Sequence, residues 1–256
     1  MYPYIIFWGM GLYEICLAAG VILAMVVFRV LAEKREFSAA IQNFILIDTF
    51  VSVVGGYISA VLFQAFYNYL DSGVFEIKND TGATFLGGLI GGAGIFLLIY
   101  FFIGKLIFKK KENIKCFSDL LCIAGASVAA AHGIGRLGCF FAGCCYGLKT
   151  DGAFGIYMVN PGYSVIPVQL YECIFLLLLS AVIFVLTYKK QNFKIGLPVY
   201  MLAYGIWRFF IEYLRGDDRG AFFVSFLTPS QFSSLLLIAG GIVLLVFLIK
   251  KYGKKE

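Results

Sequence analysis

The sequence predicts an all-α integral membrane protein with about seven transmembrane helices, its N-terminus outside and its C-terminus in the cytoplasm. Apolar residues make up 61% of the 256 residues and charged residues only 14%. The mean hydropathy of +0.89 lies outside the range of soluble domains. No soluble segment or long linker separates the apolar stretches, so we expect one polytopic domain over residues 1–256.

Seven apolar stretches are long enough to cross a bilayer, since about 20 helical residues span its hydrocarbon core. Their predicted bounds are 5–28, 41–66, 84–108, 118–140, 167–188, 196–214 and 230–250. The first stretch is too long for the apolar core of a signal peptide, and no charged residue precedes it. We therefore expect no cleavable signal peptide.

Basic residues cluster in alternate loops. The loops after spans one, three and five and the C-terminus hold Arg29, Lys34, Arg35, Lys105, Lys109, Lys110, Lys111, Lys115, Lys189, Lys190, Lys194, Lys250, Lys251, Lys254 and Lys255. The other loops hold Lys78, Lys149, and Arg215 and Arg219 balanced by Asp217 and Asp218. Because cytoplasmic loops are enriched in lysine and arginine, this alternation places the end of span four outside. The net charge of +6 therefore suits an anionic membrane surface and does not indicate nucleic-acid binding.

The run from His132 to Gly147 combines residue types that a purely structural helix end rarely needs. It contains the single histidine, three of the seven cysteines, five glycines and Arg136. An arginine near hydrocarbon costs ~2.5–3.5 kcal/mol, so it needs a counter-charge, water or an anionic ligand. Arg136 either binds an anionic headgroup through its guanidinium fork or pairs with a carboxylate that ties helices together. Gly138 and Gly143 would let the chain bend and a ligand approach.

Two further stretches carry charge into the predicted spans. Arg208, Glu212 and Arg215 are spaced i, i+4, i+7 and would share one helical face turned into the bundle. We expect an ion pair between Arg208 and Glu212, which leaves Arg215 free to meet a phosphate. Glu172 lies about one turn inside span five and needs a partner, for which Arg136 is the natural candidate.

The small and sulfur-containing residues leave alternatives open. Gly87 and Gly88 begin a glycine-rich stretch that favours close helix packing, with a direct role in a site as the alternative. Cys139, Cys144 and Cys145 either line a pocket as small packing residues, form a redox pair, or bind a metal together with His132. Their spacing matches no common zinc pattern, so no metal or cofactor is expected. His132 itself is either a satisfied buried histidine or a general base.

Four of these stretches resemble the prolipoprotein diacylglyceryl transferase family. Residues 135–147, here called the signature segment, resemble the pattern G-R-x-G-N-F-x-N-x-E-x-x-G. Residues 167–172 are similar to P-x-Q-L-Y-E, residues 87–91 to H-G-G-L-I-G, and residues 208–215 to R-F-x-x-E-x-x-R. Their order and spacing agree with the family, as does the predicted orientation.

The resemblance implies a multi-pass protein of the bacterial cytoplasmic (inner) membrane with a lipid-accessible central cavity, whose active site faces the extracytoplasmic side. It implies transfer of a diacylglyceryl group from phosphatidylglycerol to a thiol, such as the lipobox cysteine of a pre-lipoprotein, with release of glycerol 1-phosphate. By position, Arg136 would hold the phosphate, Arg215 would stabilise the leaving group, and Glu172 and Glu212 would orient the arginines. The other expected substrate-binding residues are Gly87, Gly88, Gly138, Cys139, Gly143, Gly147 and Arg208.

The chain departs from the family pattern at the expected base. Leu86 stands where the family has a histidine held to act in catalysis, and the signature positions for two Asn and one Glu are Cys139, Ala142 and Cys144. The family tyrosine near the N-terminus is Trp8. Candidate replacements for the base are His132, Glu172 and a thiolate of the cysteine group. Two other functions stay open, namely a non-enzymatic phospholipid-binding paralogue and a membrane thiol-redox or metal protein.

Overall fold

The structure, a computed structural model, describes residues 11–78, 81–108, 112–190, 192–217 and 227–252. Its helices are α1 Leu12–Lys34, α2 Ala39–Ser72, α3 Phe85–Leu98, α4 Gly104–Ile107, α5 Glu112–Ala142, α6 Val168–Lys189, α7 Gly196–Ile211 and α8 Pro229–Tyr252. A π-helical turn, Ile99–Ile103, joins α3 to α4, and a 3₁₀ turn, Glu212–Leu214, follows α7. The strands β1 Ile156–Met158 and β2 Tyr163–Val165 form an antiparallel hairpin.

The all-α membrane fold with about seven helices is confirmed. Within the described ranges, six helical stretches are long and apolar enough to cross a membrane. The predicted span 196–214 corresponds to the shorter α7 and the 3₁₀ turn after it. Three helix ends extend six residues past their predicted bounds: α1 continues to Lys34 instead of 28, α2 continues to Ser72 instead of 66, and α5 begins at Glu112 instead of 118. The predicted start at residue 5, Trp8 and Arg219 lie outside the described residues, and the orientation and the cavity stay predictions.

The chain divides into two compact units. The larger unit comprises Met1–Arg35 and Ser118–Glu256, and the smaller comprises Glu36–Phe117. The larger unit thus holds α1, most of α5, the β-hairpin and α6–α8, together with all of the predicted site residues except Gly87 and Gly88.

In the smaller unit, glycines bring α2 and α3 into close contact. A Cβ at Gly56 would lie 3.0 Å from the carbonyl oxygen of Gly88 and 3.1 Å from the Cα of Gly92. The hydroxyl of Ser59 on α2 donates a hydrogen bond of 2.9 Å to the carbonyl of Gly87. The glycine-rich stretch therefore packs as small residues do at helix interfaces in membranes.

In the larger unit, Arg35 ties together the helix ends on the predicted cytoplasmic side. Its guanidinium is buried, binds Asp119 at 2.9 Å and donates to the backbone carbonyls of Thr187, Lys190 and Phe193 at 3.0, 3.1 and 2.9 Å. These partners lie on α5, on α6 and in the segment between α6 and α7. Arg35 was expected as a loop charge that sets topology, and the structure gives it this structural role in addition.

Candidate functional site

Arg136 on α5, Glu172 on α6 and Tyr204 on α7 form a closed polar triangle. The Nε of Arg136 lies 3.4 Å from Oε2 of Glu172, whose side chain is completely buried. The Nη2 of Arg136 donates to the hydroxyl of Tyr204 at 2.9 Å, and that hydroxyl donates to Oε1 of Glu172 at 3.3 Å. The predicted pairing of Arg136 with Glu172 is confirmed as an ion pair, and the Tyr204 hydroxyl links the two side chains by hydrogen bonds.

Arg215 lies beyond the end of α7, and its side chain approaches the same Glu172 carboxylate. Its Nη1 lies 3.7 Å from Oε2 of Glu172, so two guanidinium groups converge on one oxygen atom. The expectation that Arg215 shares a helical face with Arg208 is wrong, because α7 ends at Ile211 and Arg215 has an extended backbone. The distance of 3.9 Å between Nε of Arg215 and Glu212 is nevertheless short.

The backbone at Arg215 is held by pairing with the signature segment. Gly147 and Arg215 form an isolated antiparallel bridge, flanked by hydrogen bonds from Leu148 N to Leu214 O at 2.8 Å and from Gly216 N to Tyr146 O at 3.1 Å. A Cβ at Gly147 would lie 2.5 Å from the carbonyl oxygen of Ile166 and 2.8 Å from that of Leu214. Gly147 therefore shapes this loop by allowing close backbone approach.

The Arg215 guanidinium is already occupied by a carboxylate. Asp217 accepts from its Nε at 2.8 Å and from its Nη2 at 2.9 Å, a bidentate arrangement. The expectation that Arg215 is free is thus wrong. From the sequence, Asp217 was expected only as a charge that balances its loop. It follows Arg215 by two residues, however, and this separation is small enough for a local ion pair.

The ion pair between Arg208 and Glu212 is confirmed at 2.7 Å. Arg208 also donates to the hydroxyl of Ser230 at 2.8 Å, and Thr228 donates to Oε1 of Glu212 at 2.9 Å. Ser230 lies in the first turn of α8 and Thr228 directly precedes that helix. These bonds attach the end of α7 to the start of α8.

His132 lies one turn before Arg136 on α5, against two tyrosines of α7. Its Nδ1 is 3.0 Å from the hydroxyl of Tyr200, and its ring meets that of Tyr204 edge to face at 4.5 Å. Tyr200 and Tyr204 stack on each other at 5.9 Å. This is the geometry of a half-buried, hydrogen-bonded histidine, and a role as general base stays a prediction.

The three cysteines of the signature segment come together at the end of α5. Their sulfurs lie within 4.8 Å of one another, and each cysteine is half-buried. The Cys144 amide donates to the Cys139 carbonyl at 3.2 Å, and Gln169 donates to the Cys144 carbonyl at 2.6 Å. All seven cysteines of the chain are free thiols in the structure, and a redox role for this group stays a prediction.

Two of these thiols lie beyond the helix and differ in acidity. Hydrogen bonds with the thiols of Cys139 and Cys144, together with the nearby Arg215, lower the pKa of Cys145. Hydrogen bonds with Cys139 and Cys145 raise the pKa of Cys144. The thiolate form is therefore favoured at Cys145 and disfavoured at Cys144.

The remaining predicted glycines occupy tight or left-handed positions. A Cβ at Gly138 would lie 3.1 Å from the Cβ of Cys16 on α1, and Gly143 has a φ of 71° just after α5. Gly87 and Gly88 lie in the smaller unit, packed on α2 as described above. Their role in substrate binding stays a prediction.

No role was expected for Tyr204, Tyr200 or Gln169. Tyr204 precedes Arg208 by one helical turn, and Tyr200 precedes Tyr204 by another, so their position on the charged face of α7 was a usable signal. Gln169 stands three residues before Glu172, which also places both on one face of α6.

Comparisons with known proteins agree along almost the whole chain. The model of a family described as prolipoprotein diacylglyceryl transferase matches residues 4–247. A protein of Clostridium tetani named phosphatidylglycerol–prolipoprotein diacylglyceryl transferase is 33% identical over 255 residues, which cover 95% of this chain and 94% of that protein. A Clostridium perfringens protein of the same name, numbered 2, is 32% identical over 253 residues, covering 95% and 93%. A Finegoldia magna protein of that name is 32% identical over 246 residues, covering 95% and 91%.

Proposed function

The chain belongs to the prolipoprotein diacylglyceryl transferase family, and from this premise we propose that it transfers a diacylglyceryl group from phosphatidylglycerol to a cysteine thiol. The acceptor we propose is the lipobox cysteine of a pre-lipoprotein. Matches along nearly the full length of three relatives with that name support the assignment. The non-enzymatic and thiol-redox alternatives gain no such support.

The proposed reaction makes definite demands on the protein. A thiolate sulfur attacks the glycerol carbon of the lipid, and the bond from that carbon to the phosphate oxygen breaks. The departing glycerol 1-phosphate carries an additional negative charge, so the site needs cations that already point at the phosphate. Guanidinium groups suit this task because their forked N–H donors match phosphate oxygens.

One observation carries the proposal, namely the convergence of Arg136 and Arg215 on Oε2 of Glu172, at 3.4 and 3.7 Å. A buried carboxylate that holds two guanidiniums together fixes their spacing before substrate arrives. We therefore assign phosphate binding to Arg136 and Arg215, and the positioning of both to Glu172.

We further propose that this site faces the extracytoplasmic side of the bacterial inner membrane. The alternation of basic clusters supports this orientation, since Arg136 and Glu172 lie at the ends of α5 and α6 that are distant from those clusters. Lipid would then reach the arginines from the outer leaflet, where a secreted pre-lipoprotein also emerges.

The test is a transfer assay on the full chain in detergent micelles. Phosphatidylglycerol is supplied with a peptide containing a lipobox cysteine, and both the thioether product and glycerol 1-phosphate are measured. We expect Arg136→Gln and Arg215→Gln each to lower the rate by about 10²–10³, as for other lost donors to a developing anion. Lys189→Gln is the matched control, because it removes one exposed positive charge about 25 Å along α6 from Glu172.

The two products must appear together and in equal amounts. A serine-containing peptide controls for the thiol, and it should give neither product. If the wild-type chain releases no glycerol 1-phosphate and forms no thioether with any thiol peptide, the proposed function is wrong. If Lys189→Gln is as slow as the two site variants, the loss reflects charge in general and the assignment of the arginines fails.

A further inference from the structure

The sulfurs of Cys139, Cys144 and Cys145 have the dimensions of a three-thiolate metal site. They lie within 4.8 Å of one another. A tetrahedral zinc ion, with bonds to sulfur of about 2.3 Å, requires neighbouring sulfurs about 3.8 Å apart. Small rotations about χ1 cover a difference of this size, and soft thiolate ligands favour zinc among the common divalent ions.

The cluster leaves one coordination position open. Among the residues that the structure describes, no histidine or carboxylate joins the three sulfurs at this distance. Structural zinc sites are closed by four protein ligands, whereas catalytic ones use three and keep the fourth for water or substrate. Because all three cysteines are half-buried and not sealed in the core, an external thiol has access to that position.

The surrounding backbone fixes the cysteines where they are. Gln169 is fully buried and donates to the Cys144 carbonyl at 2.6 Å. Cys145 has a φ of 62°, a left-handed conformation that costs a residue with a Cβ ~1–2 kcal/mol. Such strain persists only where the neighbouring structure imposes it, and it concentrates at functional sites.

The electrostatic setting suits a metal with three thiolates, which together carry one net negative charge. The Arg215 guanidinium interacts with Cys145, and Arg136 interacts with Cys139. The two arginines assigned to the lipid phosphate are therefore also the cations beside the sulfurs. A thiol bound at the cluster would lie next to the group it has to attack.

We propose that Cys139, Cys144 and Cys145 bind one Zn²⁺, and that its open position takes the acceptor thiol. The inference rests on the proposed transferase function. The zinc ion would deprotonate the acceptor thiol. The resemblance implies a histidine for this step, and Leu86, which stands in its place, is unable to perform it. A thiol coordinated to zinc is deprotonated outright, and the thiolate is the nucleophilic form.

The acceptor thiol displaces water from Zn²⁺ and releases its proton to solvent. The thiolate sulfur forms a bond to the glycerol carbon of phosphatidylglycerol, and the carbon–oxygen bond breaks, with its electron pair leaving on glycerol 1-phosphate. The thioether has no charge and is a poor ligand, so water replaces it on the metal.

The first experiment measures metal binding alone. The full chain is purified in detergent with reduced thiols, stripped with a chelator and titrated with Co²⁺, which reports thiolate coordination by a charge-transfer absorption band. We expect one equivalent bound by the wild type and loss of the band in Cys139→Ser, Cys144→Ser and Cys145→Ser. Cys116→Ser is the matched control, since Cys116 is also half-buried on α5 but about 34 Å away along the helix.

The second experiment adds the acceptor and measures turnover. A lipobox peptide with cysteine should shift the Co²⁺ absorption spectrum, whereas the same peptide with serine should not. Transfer should stop in the stripped protein and return with Zn²⁺. Size-exclusion profiles and melting temperatures of each variant show whether it is folded, and the stripped wild-type protein tests the metal without any substitution.

The outcomes separate the metal site from the transferase activity. If the three variants bind Co²⁺ like the wild type, or the stripped protein transfers lipid at the full rate, the metal site is wrong and the transferase function stands. A disulfide among the three cysteines, with no metal uptake after reduction, also overturns the site. Metal binding and a thiol-dependent spectral shift without any lipid turnover would support the site and count against the proposed function.

Discussion

Replacing Glu172 by glutamine tests whether one buried carboxylate holds the two arginines. Glutamine keeps the size of the side chain and an acceptor for the Tyr204 hydroxyl but removes the negative charge. At an effective dielectric constant near 20, charge pairs at 3.4 and 3.7 Å each attract by roughly 4–5 kcal/mol before desolvation is subtracted. Removing one partner of a buried pair costs about 3–5 kcal/mol net, and Arg215 keeps Asp217 as a partner, so we expect about 3 kcal/mol.

The measurement is the thermal unfolding midpoint of the full chain in detergent micelles. For a chain of this length, a loss of 3 kcal/mol corresponds to a lower midpoint by roughly 5 °C. Glu33→Gln is the matched control, because Glu33 is an exposed carboxylate on α1. Equal midpoints for Glu172→Gln and Glu33→Gln would refute the idea that Glu172 organises the arginines. A double-mutant cycle with Arg136→Gln should return a coupling of about 1 kcal/mol or more between the two side chains.

Three further predictions concern a hydroxyl, a glycine and a thiol. Tyr204→Phe removes the hydroxyl between the guanidinium and the carboxylate, and we expect about 1–3 kcal/mol lower stability in chemical unfolding; an unchanged transition would contradict the hydrogen bonds described. Gly147→Ala places a Cβ 2.5 Å from a backbone oxygen, so transfer should fall more than tenfold, whereas Gly94→Ala, which meets no atom within 4 Å, should leave it intact. In metal-free protein, the lowered pKa of Cys145 puts its thiolate at lower pH than that of Cys144, so iodoacetamide should label Cys145 first as the pH rises. Mass spectrometry of the labelled peptides measures the order, and earlier labelling of Cys144 would refute it.

The sequence alone predicted the elements that depend on local composition. Long apolar stretches placed the helices. The end of α1, the end of α2 and the start of α5 each differ from the prediction by six residues, because the helices continue into the polar residues that flank the apolar stretches. The pairing of Arg136 with Glu172 was also predictable, since each charge needs compensation near the hydrocarbon.

The parts that the sequence did not predict depend on contacts between distant segments. Arg215 leaves the helical face because its backbone pairs with Gly147, 68 residues earlier in the chain. The sulfur cluster depends on a left-handed Cys145, which residue spacing does not reveal. Tyr204 resembles any other aromatic residue of a membrane span in the sequence, and only the structure places its hydroxyl between Arg136 and Glu172.

In the reaction proposed above, the bidentate bond between Arg215 and Asp217 would make phosphate binding an exchange of one anion for another. Any lipid phosphate that takes both N–H donors must first displace a carboxylate only two residues away, and that carboxylate stays tethered nearby throughout. In the proposed reaction, the same carboxylate would compete with the glycerol 1-phosphate product for Arg215 and so favour its release.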